Sequence, residues 1–351
     1  LAGERKLQSI EAARGLAALS VVAFHSNSAA AIFGGPRFEP FSSGEHGVDF
    51  FFVLSGFIIF FVHAADIGRP DQARDYALKR AIRVLPLLWL VVLSFVLIHN
   101  LAGAATFSLG QVASSLFLYP SLEIPTPQVV WTLRHEALFY VMFLSFIFSR
   151  RLGLWVFGIW TLAALIQLGL SAAGRPVCGV ASFFLSSYEL DFVLGGLIAT
   201  AHRKWTFPTS AWPLLAALAA MVGVLACEEA FGIGRNGLTD YVSLAATAWT
   251  LVLGLVFAAV LHGVLCLGPD LKVPRLLTLL GAASYAIYLI HTPVNSATQS
   301  LVAHLPHPFK ALGLGHVAVI VIGVAAGIAT HILVERKITL ALRKSLLPRA
   351  A

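Results

Sequence analysis

The sequence predicts an all-α, polytopic integral membrane protein of about ten transmembrane helices, with both termini cytoplasmic. Three observations carry this expectation. Of the 351 residues, 58% are hydrophobic and only 12% are charged, and the mean hydropathy is +0.84, whereas about a quarter of a typical soluble chain is charged. The apolar residues gather into stretches of about 18–25, enough to cross a bilayer core of roughly 30 Å. The basic residues cluster between these stretches, mostly on one side of the alternating loops.

In chain order, the stretches are expected near 8–28, 47–64, 84–102, 129–148, 152–172, 183–201, 211–228, 241–267, 276–301 and 314–334. The first follows Glu4, Arg5 and Lys6, which resemble the charged start of a signal peptide, with Ala29 to Ala31 as a small-residue cleavage site. Glu11 and Arg14 inside the apolar run favour a retained helix instead. Arg37 follows it on the outer side, and Arg69, Arg74, Lys79, Arg80 and Arg83 separate the second stretch from the third. The segment 107–120 is apolar but short, and reads as a re-entrant or interfacial piece. Arg150 and Arg151 divide the fourth stretch from the fifth, Arg175 the fifth from the sixth, and Arg203 with Lys204 the sixth from the seventh. Arg235, then Lys272 with Arg275, then Lys310 bound the remaining stretches, and Arg336, Lys337, Arg343, Lys344 and Arg349 follow the last. With the N-terminus inside, only Arg37, Arg175, Arg235 and Lys310 fall outside, an asymmetry that supports both count and orientation. No linker, repeat or low-complexity tract marks a second domain, so residues 1–351 read as one membrane domain. The start at Leu1 suggests a trimmed N-terminus.

The net charge of +7 is accounted for by these topology-setting clusters. No basic face points to nucleic acid as a partner. Cys178, Cys227 and Cys266 have no CxxC or zinc-type spacing and read as small buried apolar residues, so no metal is expected. His135-Glu136 begins a metalloprotease-like string, but Phe139 stands where the second histidine is required. No phosphate-binding glycine loop, dinucleotide fingerprint or hydrolase nucleophile elbow is present.

Ionisable groups inside spans are costly, and they mark cavities or pathways. Arg14 and His25 are eleven residues apart; eleven steps of about 100° return to the same helix face, about 16 Å further along. Glu136, Glu189, Asp191, Asp49 and His291 sit at depths similar to His25 in other stretches. A histidine oriented by a carboxylate suits general-base catalysis. The same residues would equally serve a proton relay in a transporter, or a buried pair that locks two helices. Arg80 and Arg83 share a helix face before the third stretch and could, with Arg14, clamp a phosphorylated ligand. Positive-inside charge or lipid-headgroup binding is the alternative.

Taken together, these residues resemble the membrane-bound acyltransferase family 3. IEAARGLAALSVVAFH (10–25) is similar to its opening motif, with Glu11 where many members have Asp. GVDFFFVLSGFII (47–59), KRAIRVLPLLW (79–89), WTLRHEALFY (131–140) and SYAIYLIHTPV (284–294) resemble its later blocks, in the family's order. The resemblance implies transfer of an acyl group, usually acetyl, from cytoplasmic acyl-CoA to a hydroxyl of a sugar, glycan or small molecule. The short loops look most like the exopolysaccharide-modifying branch, as a bare membrane module in a bacterial inner membrane.

On this reading acetyl-CoA is a cosubstrate and no cofactor is permanently bound. Arg14, Arg80 and Arg83 hold the phosphates of acyl-CoA. His25 deprotonates the acceptor or takes the acyl group itself, and Glu136 orients His25. Asp49, Asp191 and His291 are acceptor-binding candidates, while Ser55 lies too deep in its span for a role. The partners expected are acyl-CoA, a carbohydrate or glycolipid acceptor, and membrane lipids. A proton-coupled transporter or flippase for a glycan intermediate is the competing reading, and a glycan-assembly scaffold is a third.

Overall fold

Long apolar stretches interrupted by charged clusters leave the backbone one economical solution in lipid, which is to satisfy its own hydrogen bonds within helices. The structure, a computed structural model, describes residues 2–32, 37–103, 106–233, 240–268, 271–304 and 314–347. Arg235, Lys310 and Arg349 lie outside the described residues. A long helix occupies each of the ten predicted stretches, and no strand occurs among the described residues.

The helices are α1 (Ala2–Ile32), α2 (Gly47–Val62), α3 (Ala73–Leu101), α4 (Leu109–Phe117), α5 (Trp131–Phe148) and α6 (Arg150–Ala172). They continue with α7 (Val180–Phe184), α8 (Tyr188–Lys204), α9 (Trp212–Phe231), α10 (Leu244–Cys266), α11 (Arg275–Val302) and α12 (Leu314–Thr330). A π-helical turn, His331–Glu335, joins α12 to α13 (Arg336–Leu346).

Eight of the helical segments are long and apolar enough to cross a membrane among the described residues, rather than ten. Those without this property are α1 and α5. These two carry much of the polar interior, including Ser26, Asn27, Arg134 and His135, all buried. The chain is a multi-pass membrane protein with a polar interior.

Two boundaries differ from expectation. Helix α3 starts at Ala73 rather than near residue 84, because Arg80 and Arg83 extend it on a charged face that points into the protein. The stretch at 183–201 is broken, so that α8 begins at Tyr188 and Glu189 and Asp191 fall in its first turn. The 107–120 segment forms the short α4, closed at its start by a capping box between Ser108 and Gln111 and at its end by Leu118 in the left-handed region. Nor are all three cysteines buried. Cys266 is, but Cys178 and Cys227 are exposed, Cys227 on the largely unburied α9.

Lipid tails are as apolar as leucine, so close packing of small residues does much of the work of holding spans together. At the α2–α8 crossing, a Cβ on Gly56 would collide with the Phe192 carbonyl, and one on Gly195 with the Val53 carbonyl. The two backbones therefore touch. Around this crossing Phe139 stacks on Phe192 at 4.5 Å and Phe52 packs against Trp131, Tyr188 and Phe192. Gly56→Ala is expected to destabilise the bundle by about 1–3 kcal/mol, since neither backbone can yield to the added methyl. Thermal unfolding in detergent tests this, and an unchanged midpoint would show that the crossing is loose.

Candidate active site

Helices α1, α2, α3, α5 and α11 converge on a cavity of about 150 Å³. Arg14 comes from α1, Ser55 from α2, Arg80 and Arg83 from α3, Glu136 and Tyr140 from α5, and Tyr285 and Tyr288 from α11. The three arginines singled out from sequence spacing thus face one space, although α1 and α3 are far apart in the chain. Three guanidiniums against one lining carboxylate give the cavity wall an excess of positive charge, part of it met by Glu335 behind Arg83.

Each arginine is held differently. Arg83 pairs with the buried Glu335 and lies over the Tyr285 ring, 5.2 Å from its centroid. Glu335 in turn bonds Nδ1 of His331 at 2.8 Å across the π-helical turn. Arg80 lies over the Tyr140 ring at 5.8 Å, and its Nε is buried with no hydrogen-bond partner among the described residues. Such an orphaned donor in a cationic cavity is suited to an incoming anion.

Glu136 accepts hydrogen bonds from the Ser55 hydroxyl at 3.1 Å and from the Tyr140 hydroxyl. It belongs to the arginine cavity, and its carboxylate is used there rather than on the His25 ring. Ser55, set aside on the sequence, is therefore part of the cavity wall.

His25 sits eleven residues along α1 from Arg14, about 16 Å on a helix. Its Nδ1 lies 2.9 Å from the Val21 carbonyl oxygen. A carbonyl only accepts, so Nδ1 carries the proton and the lone pair of the neutral ring is on Nε2. His291 has the same arrangement: Nδ1 donates to the Tyr288 carbonyl at 2.7 Å, and the buried Nε2 has no hydrogen-bond partner among the described residues. The two rings meet edge to face with centroids 4.8 Å apart. Tyr288 links this pair to the cavity, since it lines the cavity and its ring centroid is 5.8 Å from that of His291. The Tyr288 hydroxyl reaches the Val129 carbonyl at 3.0 Å and Thr132 Oγ1 at 2.8 Å.

Among the acceptor-binding candidates, His291 is brought to His25, whereas Asp49 and Asp191 are not among the cavity's lining residues. Asp49 is buried in the first turn of α2, 3.8 Å from Nδ1 of His46, whose Nε2 is 2.7 Å from Glu228. Asp191 is buried against α10 at Gly254. Glu189 bonds Nδ1 of His135 at 2.6 Å, and Nε2 of His135 is 3.2 Å from the Tyr241 hydroxyl, all within an aromatic cluster.

Arg134 is a tie rather than a site residue. It donates to the carbonyls of Ser121 and Glu123 and to Ser114 Oγ, which fixes α4 and the loop after it onto α5. Arg134→Met is expected to cost about 2–4 kcal/mol by stranding those acceptors. The check is hydrogen exchange over residues 109–127, which should rise locally.

Glu335 was missed from sequence, although it is the one acidic residue of the 314–346 run and a charge in a long apolar helix is itself a signal. Tyr140, Tyr285, Tyr288 and Thr132 lay within the motif blocks but carried no separate signal.

No solved structure matches the chain. The chain is 30% identical over 316 residues to the exopolysaccharide production protein ExoZ of Rhizobium meliloti (strain 1021), covering 84% of this chain and 90% of that protein. It is 29% identical over 161 residues to a putative peptidoglycan O-acetyltransferase, YrhL, of Bacillus subtilis (strain 168). It is 27% identical over 157 residues to the peptidoglycan O-acetyltransferase OatA of Listeria monocytogenes (serovar 1/2a). These last two matches cover 41% and 40% of this chain but only 24% of either protein. The family model described as an acyltransferase domain matches residues 7–335, which takes in all three arginines, both histidines and Glu335; the chain belongs to the acyltransferase 3 family.

Proposed function

We propose that this protein is a transmembrane O-acyltransferase of the bacterial inner membrane. It moves an acyl group, acetyl in the first instance, from cytoplasmic acyl-CoA to a hydroxyl of an exopolysaccharide or other cell-envelope glycan. The observation that carries the reading is the pairing of a three-arginine cavity with a two-histidine site one helix face away, joined through Tyr288. A donor with phosphates at one end and a thioester at the other needs both.

In this reading α1 and α5 also cross the membrane, which makes ten spans with both termini cytoplasmic, and the arginine cavity faces the cytoplasm. Arg14, Arg80 and Arg83 bind the phosphates, with the fork geometry that suits guanidinium to phosphate oxygens. The pantetheine arm, on the order of 15–20 Å long, matches the rise of about 16 Å from Arg14 to His25. Nε2 of His25 takes the proton of the acceptor hydroxyl as that oxygen attacks the thioester carbonyl; the C–S bond then breaks and the imidazolium gives the proton to the departing CoA sulfur. His291 packs on the His25 ring and limits its rotation. Glu136 offsets part of the arginine charge and orients the Ser55 and Tyr140 hydroxyls at the cavity wall. The exopolysaccharide acceptor is favoured by the likeness to ExoZ along nearly its whole length.

The test uses purified protein in nanodiscs with acetyl-labelled acetyl-CoA and an exopolysaccharide acceptor. Free CoA thiol should appear together with alkali-labile label on the glycan. Glycan movement across the bilayer without thiol release would favour a flippase instead. Glu136→Gln should retain part of the activity, because the amide still accepts from Ser55 and Tyr140. Complete loss in a folded Glu136→Gln protein would assign the carboxylate a direct chemical role.

A further inference from the structure

We propose that His202, His262 and Cys266 form a binding site for a divalent transition-metal ion of the zinc type, clamping the end of α8 to the end of α10. His262 and Cys266 are one turn apart on α10 and so share a face, and the last turn of α8 brings His202 to the same place. Nε2 of His202 lies 3.0 Å from Nδ1 of His262, and Cys266 Sγ lies 3.6 Å from Nε2 of His262. One ligand atom from each residue falls within 4.8 Å of the others. Tetrahedral zinc, with bonds of about 2.0–2.3 Å, sets its ligand atoms about 3.3–3.7 Å apart. One nitrogen of His262 would serve as the ligand, and binding would draw the three side chains together by about 1 Å.

The donor set defines the ion. Two imidazoles and a thiolate without a carboxylate select a borderline-soft ion over magnesium or calcium. On binding, the Cys266 thiol gives its proton to water and its sulfur lone pair to the metal. The Phe207 ring packs against both imidazoles, 4.6 Å from His202 and 4.8 Å from His262, and restrains them. The Ser210 amide donates to the Cys266 carbonyl at 2.9 Å, so the loop after α8 is already tied to this end of α10. None of these residues lines the arginine cavity. Spacing along the chain could not reveal the site, because His202 and His262 are 60 residues apart.

Cobalt(II) is the probe, added to chelator-stripped protein in detergent, because a thiolate in a tetrahedral cobalt site gives near-ultraviolet charge transfer and intense visible bands. One equivalent should bind with those bands, and zinc should displace it. Cys266→Ser should abolish the charge-transfer band, and His202→Ala should weaken binding at least tenfold. Cys178→Ser and Cys227→Ser should leave the spectrum unchanged. Should Cys266→Ser fail to fold, as judged by elution profile and helical content, the His202→Ala titration decides. The proposal is overturned by wild-type protein without the bands, by bands that persist in folded Cys266→Ser, or by His202→Ala binding as tightly as wild type.

Discussion

His25→Ala is expected to lower the rate of acyl transfer by about 10²–10⁴-fold, the usual contribution of a positioned general base, while acyl-CoA still binds. The split follows from the distances. The three arginines line a cavity of which His25 is not a lining residue, so removing the imidazole leaves their arrangement intact. The hydrogen bond from Nδ1 to the Val21 carbonyl leaves Nε2 as the nitrogen with a lone pair to offer. His25→Asn should therefore also be inactive, because it supplies no basic nitrogen where Nε2 stands. The measurement is CoA thiol release at saturating acetyl-CoA, with direct binding of a non-hydrolysable acyl-CoA analogue in parallel. A His25→Ala protein that turns over normally would remove His25 from the chemistry and leave the family assignment standing. If His25 instead carries the acyl group transiently, rapid-quench labelling should recover acyl-histidine before glycan product appears.

Arg80→Met is the second large effect, and it should fall on KM. Charge-assisted hydrogen bonds are each worth about 1.5–3 kcal/mol, so the apparent affinity for acyl-CoA should drop about 10–100-fold. Turnover at saturation should change far less. Arg83→Met should behave differently even though it lies on the same face of α3. Arg83 is paired with Glu335, and removing it takes the guanidinium from a carboxylate that is 3% exposed and leaves it His331 as a partner. Breaking such a pair costs about 3–5 kcal/mol, so Arg83→Met should lose stability as well as affinity. The double variant Arg83→Met with Glu335→Gln should recover stability but not acyl-CoA binding. Thermal unfolding and ligand titration on the four proteins separate these outcomes. Equal stability of Arg80→Met and Arg83→Met would mean that Glu335 is not a structural partner.

Most of the helices were legible because apolar run length is a local property. Where prediction and structure part, the cause is a charge that faces inward. The first turns of α3 were left outside the predicted stretch, because its start was set by hydropathy and nothing local distinguishes Arg80 and Arg83 on a solvated surface from the same residues in a cavity. The break before α8 was equally hidden, since 183–201 is apolar on both sides of it. Among site residues, Arg14, His25 and His291 were singled out by the cost of placing an ionisable group at depth, and Arg80 and Arg83 by the helix face they share before the third stretch. Glu136 was also found by its depth but given the wrong neighbour. Depth gives a coordinate along the membrane normal and leaves the direction in the plane open, and Glu136 turned towards Ser55 and Tyr140.

By itself, then, the sequence determined that the chain is a helical membrane protein with Arg14 and His25 on one face of its first helix. Both are consequences of hydropathy and of the 3.6-residue repeat, which act over a turn or a span. Only the tertiary structure decided that α1, α3 and α5 share a cavity, that Glu335 pairs with Arg83, and that His291 is the ring beside His25. These depend on which helix stands next to which. That is set by close-packing glycines such as Gly56 and Gly195, whose effect lies between segments that are distant in the chain.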